Sequence, residues 1–460
     1  MKRLLLLLVT TLTLAACTVG PNYQRPAVTV PDAIYGSTEA PTERSLADVA
    51  WFDLFSDPVL RSLIEEALRN GADMRIAAAR VEEARARYGI AGAARYPDVD
   101  YQVRTGYGRQ NSETGAALAA NVAAGWEIDL WGRIRRLNEA ARAQYLASEE
   151  GRRAVQLALV SEVAAAYFDL RELDEELEIA RRTTAGFAST FDLFERRLRG
   201  GTASGLETTR AEALLANASA QIPLIEREIV ATENQLNVLL GRVPGPIARG
   251  ATLAAQPLPP EIPAGLPSAL LLRRPDVRAA EQFLIAANAN VGVAEAAFYP
   301  TLSLTGLLGV QSSELSELFG AGRVWSIQAG LLGPIFNAGR LRNQRRVAVA
   351  QFDIARVQYE QSITEALADV STSLVSLQKL AVAETERQRA LRVNQEAVRL
   401  VNLRYESGLS AYFEVLDAMQ QLFAAENALA RVRRDRLIAL VQFYRALGGG
   451  WSEAPVAAAP

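Results

Sequence analysis

Residues 97–107 read Pro97-Asp98-Val99-Asp100-Tyr101-Gln102-Val103-Arg104-Thr105-Gly106-Tyr107. Successive side chains of a strand point to opposite faces. Val99, Tyr101, Val103, Thr105 and Tyr107 therefore share one face, and Asp100, Gln102, Arg104 and Gly106 share the other. A turn-like stretch, Asn111 to Gly115, follows. Val122, Ala124, Trp126, Ile128 and Leu130 then alternate with Asn121, Ala123, Gly125, Glu127 and Asp129. The pattern predicts a strand pair over about 98–131. Each alternating stretch is about 10–13 residues long, and a tilted strand crossing a bilayer needs about 9–11. Tyr101, Tyr107, Trp126, Trp131, Tyr299 and Trp325 could supply interfacial aromatic girdles. Two soluble hairpins packed on a core would show the same alternation.

Outward from this pair the period changes to that of a helix. Residues 72–95 carry Ala, Arg and Glu without proline, and Pro97 stops the run. From Ile134 to Arg199 there is again no proline, and only Gly151 and Gly186 interrupt. That stretch, 134–199, predicts a helix about 100 Å long at about 1.5 Å per residue. Ordinary globular helices run about 10–14 residues. Tyr167, Leu170, Leu173 and Leu177 have coiled-coil spacing. Gly200-Gly201 ends the run, and a return helix over about 202–241 makes an antiparallel hairpin. Pro223 inside it predicts a kink.

The chain contains this unit twice. Shifted by about 203, residues 73–97 lie on 276–300 with eleven identical pairs, among them Gly89/Gly292, Tyr96/Tyr299 and Pro97/Pro300. Shifted by about 207, residues 197–241 lie on 404–448 with ten, including Arg197/Arg404, Gly201/Gly408, Glu207/Glu414 and Gly241/Gly448. A first repeat thus covers 57–241 and a second 268–448. The second predicts strands over about 301–337, a long helix over about 340–407 and a return helix over about 411–447. Leu367, Val370, Leu374 and Leu377 repeat the heptad spacing. The segment 242–267 holds seven prolines and reads as an extended connector. Residues 449–460 form a tail. Four strands cannot close a barrel in one chain, and lipid tolerates no open sheet edge, so strands in a membrane would require several chains to share one barrel.

Lys2, Arg3 and the apolar run to Ala16 read as a signal peptide over 1–16, too short to span a bilayer. It ends in Leu14-Ala15-Ala16-Cys17, which resembles a lipoprotein lipobox. Cys17 would carry a covalent lipid and open an extended segment over 17–56. Thr18, not Asp, follows it, which favours the outer membrane. Cys17 is the only cysteine and there is no histidine. Thiol nucleophiles, disulfides, Ser-His-Asp triads and Cys/His metal sites are excluded. Apart from that lipid, no cofactor or metal is expected. Lys and Arg total 49 against 52 Asp and Glu, which gives no case for nucleic acid. Paired acids such as Asp174/Glu175 and Glu149/Glu150 would be needed by a glycosidase. On coiled-coil surfaces such pairs are ordinarily solvated.

Several motifs carry a family resemblance. Cys17-Thr-Val-Gly-Pro-Asn-Tyr-Gln-Arg-Pro26 and Trp51-Phe-Asp-Leu-Phe-Ser-Asp-Pro-Val-Leu60 resemble the opening segments of TolC-like outer-membrane factors of the OprM/NodT type. Trp126-Glu-Ile-Asp-Leu-Trp-Gly132 and Gly333-Pro-Ile-Phe-Asn-Ala-Gly-Arg340 resemble their strand-to-helix junctions, and Arg404 to Asp417 resembles their pore end. The resemblance implies a mixed α and β membrane protein. Each chain would contribute four amphipathic strands to a homotrimeric 12-stranded transmembrane β-barrel, continuing into a long periplasmic α-helical coiled-coil barrel. The connector and tail would belong to an equatorial belt. It implies no enzyme but a passive duct, docked to a periplasmic adaptor and an inner-membrane transporter of RND type. It puts an apolar constriction on Phe413, acidic positions on Glu414 and Asp417, latching bonds on Glu207 and Tyr405, and adaptor docking at Gly201 and Gly408. The family's basic latch residue falls on Ser410. A duct for protein secretion or metal export, and more distantly a soluble coiled-coil adaptor, are the competing readings.

Overall fold

The computed structural model describes residues 18–37, 45–110, 113–256, 267 and 273–449. The signal segment, Cys17, turn residues 111–112, connector residues 257–266 and tail residues 451–460 lie outside the described residues. From 18 to 33 the backbone is mostly irregular and extended, and short helical turns follow at Leu46–Asp48 and Trp51–Leu54. Helix α1 (Pro58–Asn70) starts where Pro58 meets a capping carboxylate. Asp57 accepts from the N–H groups of Val59 at 2.9 Å and Leu60 at 3.4 Å. Then come α2 (Ala72–Ala93), β1 (Asp98–Gln110), β2 (Glu113–Ile128), α3 (Arg133–Arg199) and α4 (Gly205–Leu240). The same order returns in α5 (Pro275–Ala296), β3 (Thr301–Ser312), β4 (Arg323–Leu332), α6 (Arg340–Glu406) and α7 (Tyr412–Ala446).

Helices α3 and α6 each have 67 residues. Neither Gly151 nor Gly186 breaks α3, and α4 runs through Pro223. The strands stop short of their expected limits. β2 ends at Ile128 because the Asp129 carboxylate turns to the next helix, accepting from Ile134 N at 3.0 Å and Arg135 N at 2.9 Å. β4 ends at Leu332, one residue before Gly333-Pro334, where proline offers no ladder N–H.

The four strands form one antiparallel sheet in the order β1-β2-β3-β4. Tyr101 lies opposite Val122, Val122 opposite Leu308, and Leu308 opposite Trp325. Following that register assigns each face. One carries Val99, Tyr101, Val103 and Tyr107 with Leu118, Val122, Trp126, Leu304, Leu308, Trp325, Ile327 and Leu331. The other carries Asp98, Asp100, Gln102 and Arg104 with Asn121, Ser303, Thr305, Ser326 and Gln328. On the apolar face Tyr101, Tyr107, Trp325 and Ile327 are each more than 70% exposed.

The chain divides into two compact units. One comprises residues 18–28, 79–151 and 276–362, and holds the sheet. Within it α3 and α5 meet through Ala140, Ala143, Ala286 and Ala289. The N-terminal strap is tied to this unit. Val19 N donates to Trp131 O at 3.0 Å, Arg136 to Gly20 O at 3.1 Å and Asn22 Oδ1 at 2.9 Å, and Arg25 grips Glu281 at 2.6 and 2.8 Å.

The other unit comprises residues 29–78, 152–275 and 363–449. Its core gathers Leu60 and Ile64, Tyr167 and Leu170, Leu236 and Leu240, Val370 and Leu374, and Phe443 and Tyr444. Asp57, 2% exposed, is the polar centre of this core. Besides capping α1 it accepts from the Tyr167 hydroxyl at 2.8 Å, Ala251 N at 2.9 Å and Gln256 Nε2 at 2.9 Å. Burial alone would raise its pKa, yet these hydrogen bonds hold it below the usual carboxylate value. Gly250 leaves room for the carboxylate, since a Cβ there would sit 2.2 Å from Asp57 Oδ1.

Candidate functional site

Each hairpin turns on a glycine in the left-handed region, which favours glycine over other residues, Gly201 at φ 71° and Gly408 at φ 72°. Thr202 N reaches back to Arg197 O at 2.8 Å, and Leu409 N to Arg404 O at 2.8 Å. Past the turn the two copies diverge. Ser204 and Glu207 form a capping box at the start of α4: Ser204 N donates to Glu207 Oε2 at 2.8 Å, and Glu207 N to Ser204 Oγ at 3.3 Å. That backbone N–H, helped by the Ser204 hydroxyl, lowers the Glu207 pKa. The matching cap of α7 is Ala411, which has no side-chain hydrogen bond. Glu414 therefore has no capping duty, and it stands exposed in the first turn of α7.

Phe413 is 57% exposed, and the Arg210 guanidinium lies 5.1 Å above its ring. Asp417 is exposed one turn further along α7. At spacings of three and four, Phe413, Glu414 and Asp417 sit on neighbouring positions of the helix surface. Tyr405 faces elsewhere. Arg197 donates to its hydroxyl, and its ring meets Tyr412 edge-on at 4.8 Å. Tyr412 in turn packs on Phe194 at 4.5 Å, and its hydroxyl pairs with Thr190 Oγ1 at 2.9 Å. This aromatic cluster ties α3 to α6 and α7 beside the tips. Ser410 Oγ is buried without a hydrogen-bond partner among the described residues. The basic partner of Tyr405 thus comes from α3, not from position 410. Sequence reading missed Arg197 in this role, although its match with Arg404 marked the position.

Further along α7, Arg431 and Asp435 stand 18 residues beyond Phe413 and Asp417. Five turns of about 3.6 residues return them to the same face. Arg431 bonds Glu176 at 2.8 and 2.7 Å and lies 3.8 Å from Glu172. Burial, reinforced by Glu176, pushes the Glu172 carboxyl up to about 8. The acid pairs weighed for hydrolysis are engaged elsewhere. Asp174 joins Arg171 and Arg249, Glu175 lies 3.8 Å from Arg433, Glu150 bonds Arg278 at 2.6 Å, and Glu149 accepts from Tyr145 at 2.5 Å.

The family model described as outer membrane efflux protein matches the chain twice, over residues 63–242 and 266–449. The chain belongs to the outer membrane efflux protein family. Family relatives match almost end to end. The solvent efflux pump outer membrane protein SrpC of Pseudomonas putida is 38% identical over 457 residues, 96% of this chain and 97% of SrpC. The cation efflux system protein CusC of Escherichia coli O6:H1 is 35% identical over 449 residues, 96% of this chain and 97% of CusC. The open-state crystal structure of the Neisseria gonorrhoeae MtrE outer membrane channel matches with a TM-score of 0.87 at 33% identity, covering 94% of this chain and 98% of that one. This family member is an outer-membrane channel component of an efflux system.

Proposed function

We propose that three copies of the chain close one 12-stranded barrel and act as the passive exit duct of a tripartite pump. The observation that carries this is the sheet itself: four antiparallel strands, end strands β1 and β4 each paired on one side only among the described residues, and an exposed apolar face. In lipid such edges must pair, and three copies satisfy all of them with β4 antiparallel to the next copy's β1. Substrates reach the duct from a periplasmic adaptor, gripping the Gly201 and Gly408 tips, and an inner-membrane transporter of RND type. The lipobox supports a lipid anchor on Cys17. The exposed trio Phe413, Glu414 and Asp417 forms the periplasmic gate, with Phe413 as the apolar constriction. Glu207 and Tyr405 hold the helix ends through the bonds described above.

In mild detergent the protein should have three times the chain mass. Phe413→Ala with Asp417→Ala should raise single-channel conductance in planar bilayers and lower cation preference. A monomer, or a double mutant that conducts like the wild type, would sink the respective reading. The acids at the mouth and the similarity to a cation efflux protein favour cation export as a second reading. It predicts that the wild type, but not a Glu414→Ala, Asp417→Ala variant, restores metal tolerance to a strain lacking the chain.

A further inference from the structure

Gly89 lies inside helix α2, and a Cβ there would meet nothing within 4 Å among the described residues. Glycine is the poorer helix former, so a glycine with open space beside it calls for a reason. Its repeat counterpart, Gly292 of α5, has one. A Cβ at Gly292 would lie 2.9 Å from Nε and 3.0 Å from Cγ of Arg136, which reaches across from α3. Further along the same two helices, Ala140 and Ala143 of α3 pack with Ala286 and Ala289 of α5. Beyond them Glu150 of α3 bonds Arg278 of α5 at 2.6 Å. The numbers rise on α3 as they fall on α5, so the two helices meet in an antiparallel seam, and glycine permits its closest approach.

Helices α3 and α6 correspond along their whole length, from Arg133 on Arg340 to Arg199 on Glu406. In α3 the stripe Arg136, Ala140, Ala143, Ala147 and Glu150 advances by alternate steps of four and three, and all five residues are buried. Their counterparts in α6 are Asn343, Val347, Ala350, Ile354 and Val357, and all five are exposed. Val347, Ile354 and Val357 are each more than half exposed. The α2 counterparts of Ala286, Ala289 and Gly292 are Glu83, Ala86 and Gly89, and these are exposed too. One chain thus holds one closed seam and the two separate halves of a second.

We infer that the open stripe of α6 docks on α2 of a second copy of this chain, with Asn343 crossing Gly89 and Val347 packed on Ala86. The order of the sheet argues for that occupant. Helix α3 leaves β2 and lies along α5, which leads into β3, the strand paired with β2. Where β4 of one copy pairs with β1 of the next, α6 leaves β4 beside the α2 that leads into β1. Side-chain size agrees. Arg136 needs its length because its head also holds the strap at Gly20 O and Asn22 Oδ1. Each chain has one strap, so the shorter Asn343 has only the glycine to cross. The inference rests on the three-copy reading and adds to it the residues that join the copies beyond the sheet.

Thiol cross-linking tests it, since Cys17 is the only native cysteine. The full chain carrying Ala86→Cys with Val347→Cys, purified in mild detergent and treated with a short bismaleimide, should run on a denaturing gel at three times the chain mass. Each single variant should stay at one. Ala140→Cys with Ala289→Cys, across the closed seam, should lose its free thiols at unchanged mass and so serves as the control. A second variant works without cross-linking. Gly89→Trp has room in the single chain, so its helix content by circular dichroism should match the wild type. In the docked seam it overpacks, and the ratio of trimer to monomer by native mass measurement should fall about tenfold. A native trimer that stays uncross-linked while the control reacts overturns the seam alone, as does an unchanged ratio in Gly89→Trp. Dimers from Val347→Cys by itself mean that α6 meets α6, and overturn it too. A cross-linked ladder running past three chains keeps the seam and defeats three-copy closure. A wild type that is monomeric defeats both.

Discussion

Glu172 shows how one side chain can set a pH response. Its folded pKa is raised to about 8, chiefly by burial and then by Glu176, whereas the unfolded chain titrates near an ordinary glutamate value of about 4.3. Between those limits the folded state holds a proton that the unfolded state has lost. Stability contributed by Glu172 is therefore complete below the lower limit and declines as pH rises through the upper one. Glu172→Gln keeps the neutral form at every pH. Urea unfolding should show the variant more stable than the wild type at pH 9, on the order of 2 kcal/mol. Near pH 4 the two should converge. Residue identity was only partly legible in the sequence. The Ser204/Glu207 box has a local signature, S-x-x-E before a helix, and could be read directly. The bond from Arg197 to Tyr405 spans 208 positions and leaves no local pattern.

At the scale of elements, the long helices and their glycine tips were legible because absence of proline and heptad spacing act over many residues at once. Strand ends were not. β2 stops when Asp129 caps α3, a choice between strand and helix that alternation alone does not record. The glycines divide by what surrounds them. A Cβ at Gly201 meets nothing within 4 Å, so Gly201→Ala suffers only the left-handed backbone, about 1 kcal/mol. Gly250→Ala drives a methyl into the Asp57 carboxylate and breaks up the bonds that fasten the connector to α1. About 3 kcal/mol or more is expected there. Thermal unfolding of the two variants side by side should show a small shift for the first and a large one for the second.

For the whole molecule, the two faces of the sheet make opposite predictions for neighbouring residues. Ile327→Lys puts a charge on the apolar face and should destabilise the membrane-inserted assembly by about 2–4 kcal/mol near the bilayer midplane. Gln328→Lys, one residue on and facing the other way, should be tolerated. Urea midpoints of the protein in vesicles compare them. If both are tolerated, the apolar face does not meet lipid. The doubled element order has a further consequence. A chain of one unit would need six copies to close the ring that the proposed trimer closes with three, and two units in one chain are free to differ at their tips. The drift is visible just past the glycine turns, where the counterparts of Phe413, Glu414 and Asp417 are Leu206, Glu207 and Arg210. The proposed trimer is thus only quasi-sixfold. If the tips receive a periplasmic partner as proposed, that partner would meet two kinds of foothold in alternation, one ending in an acid and one in a base. A sixfold ring of identical partner subunits must grip them in two different poses.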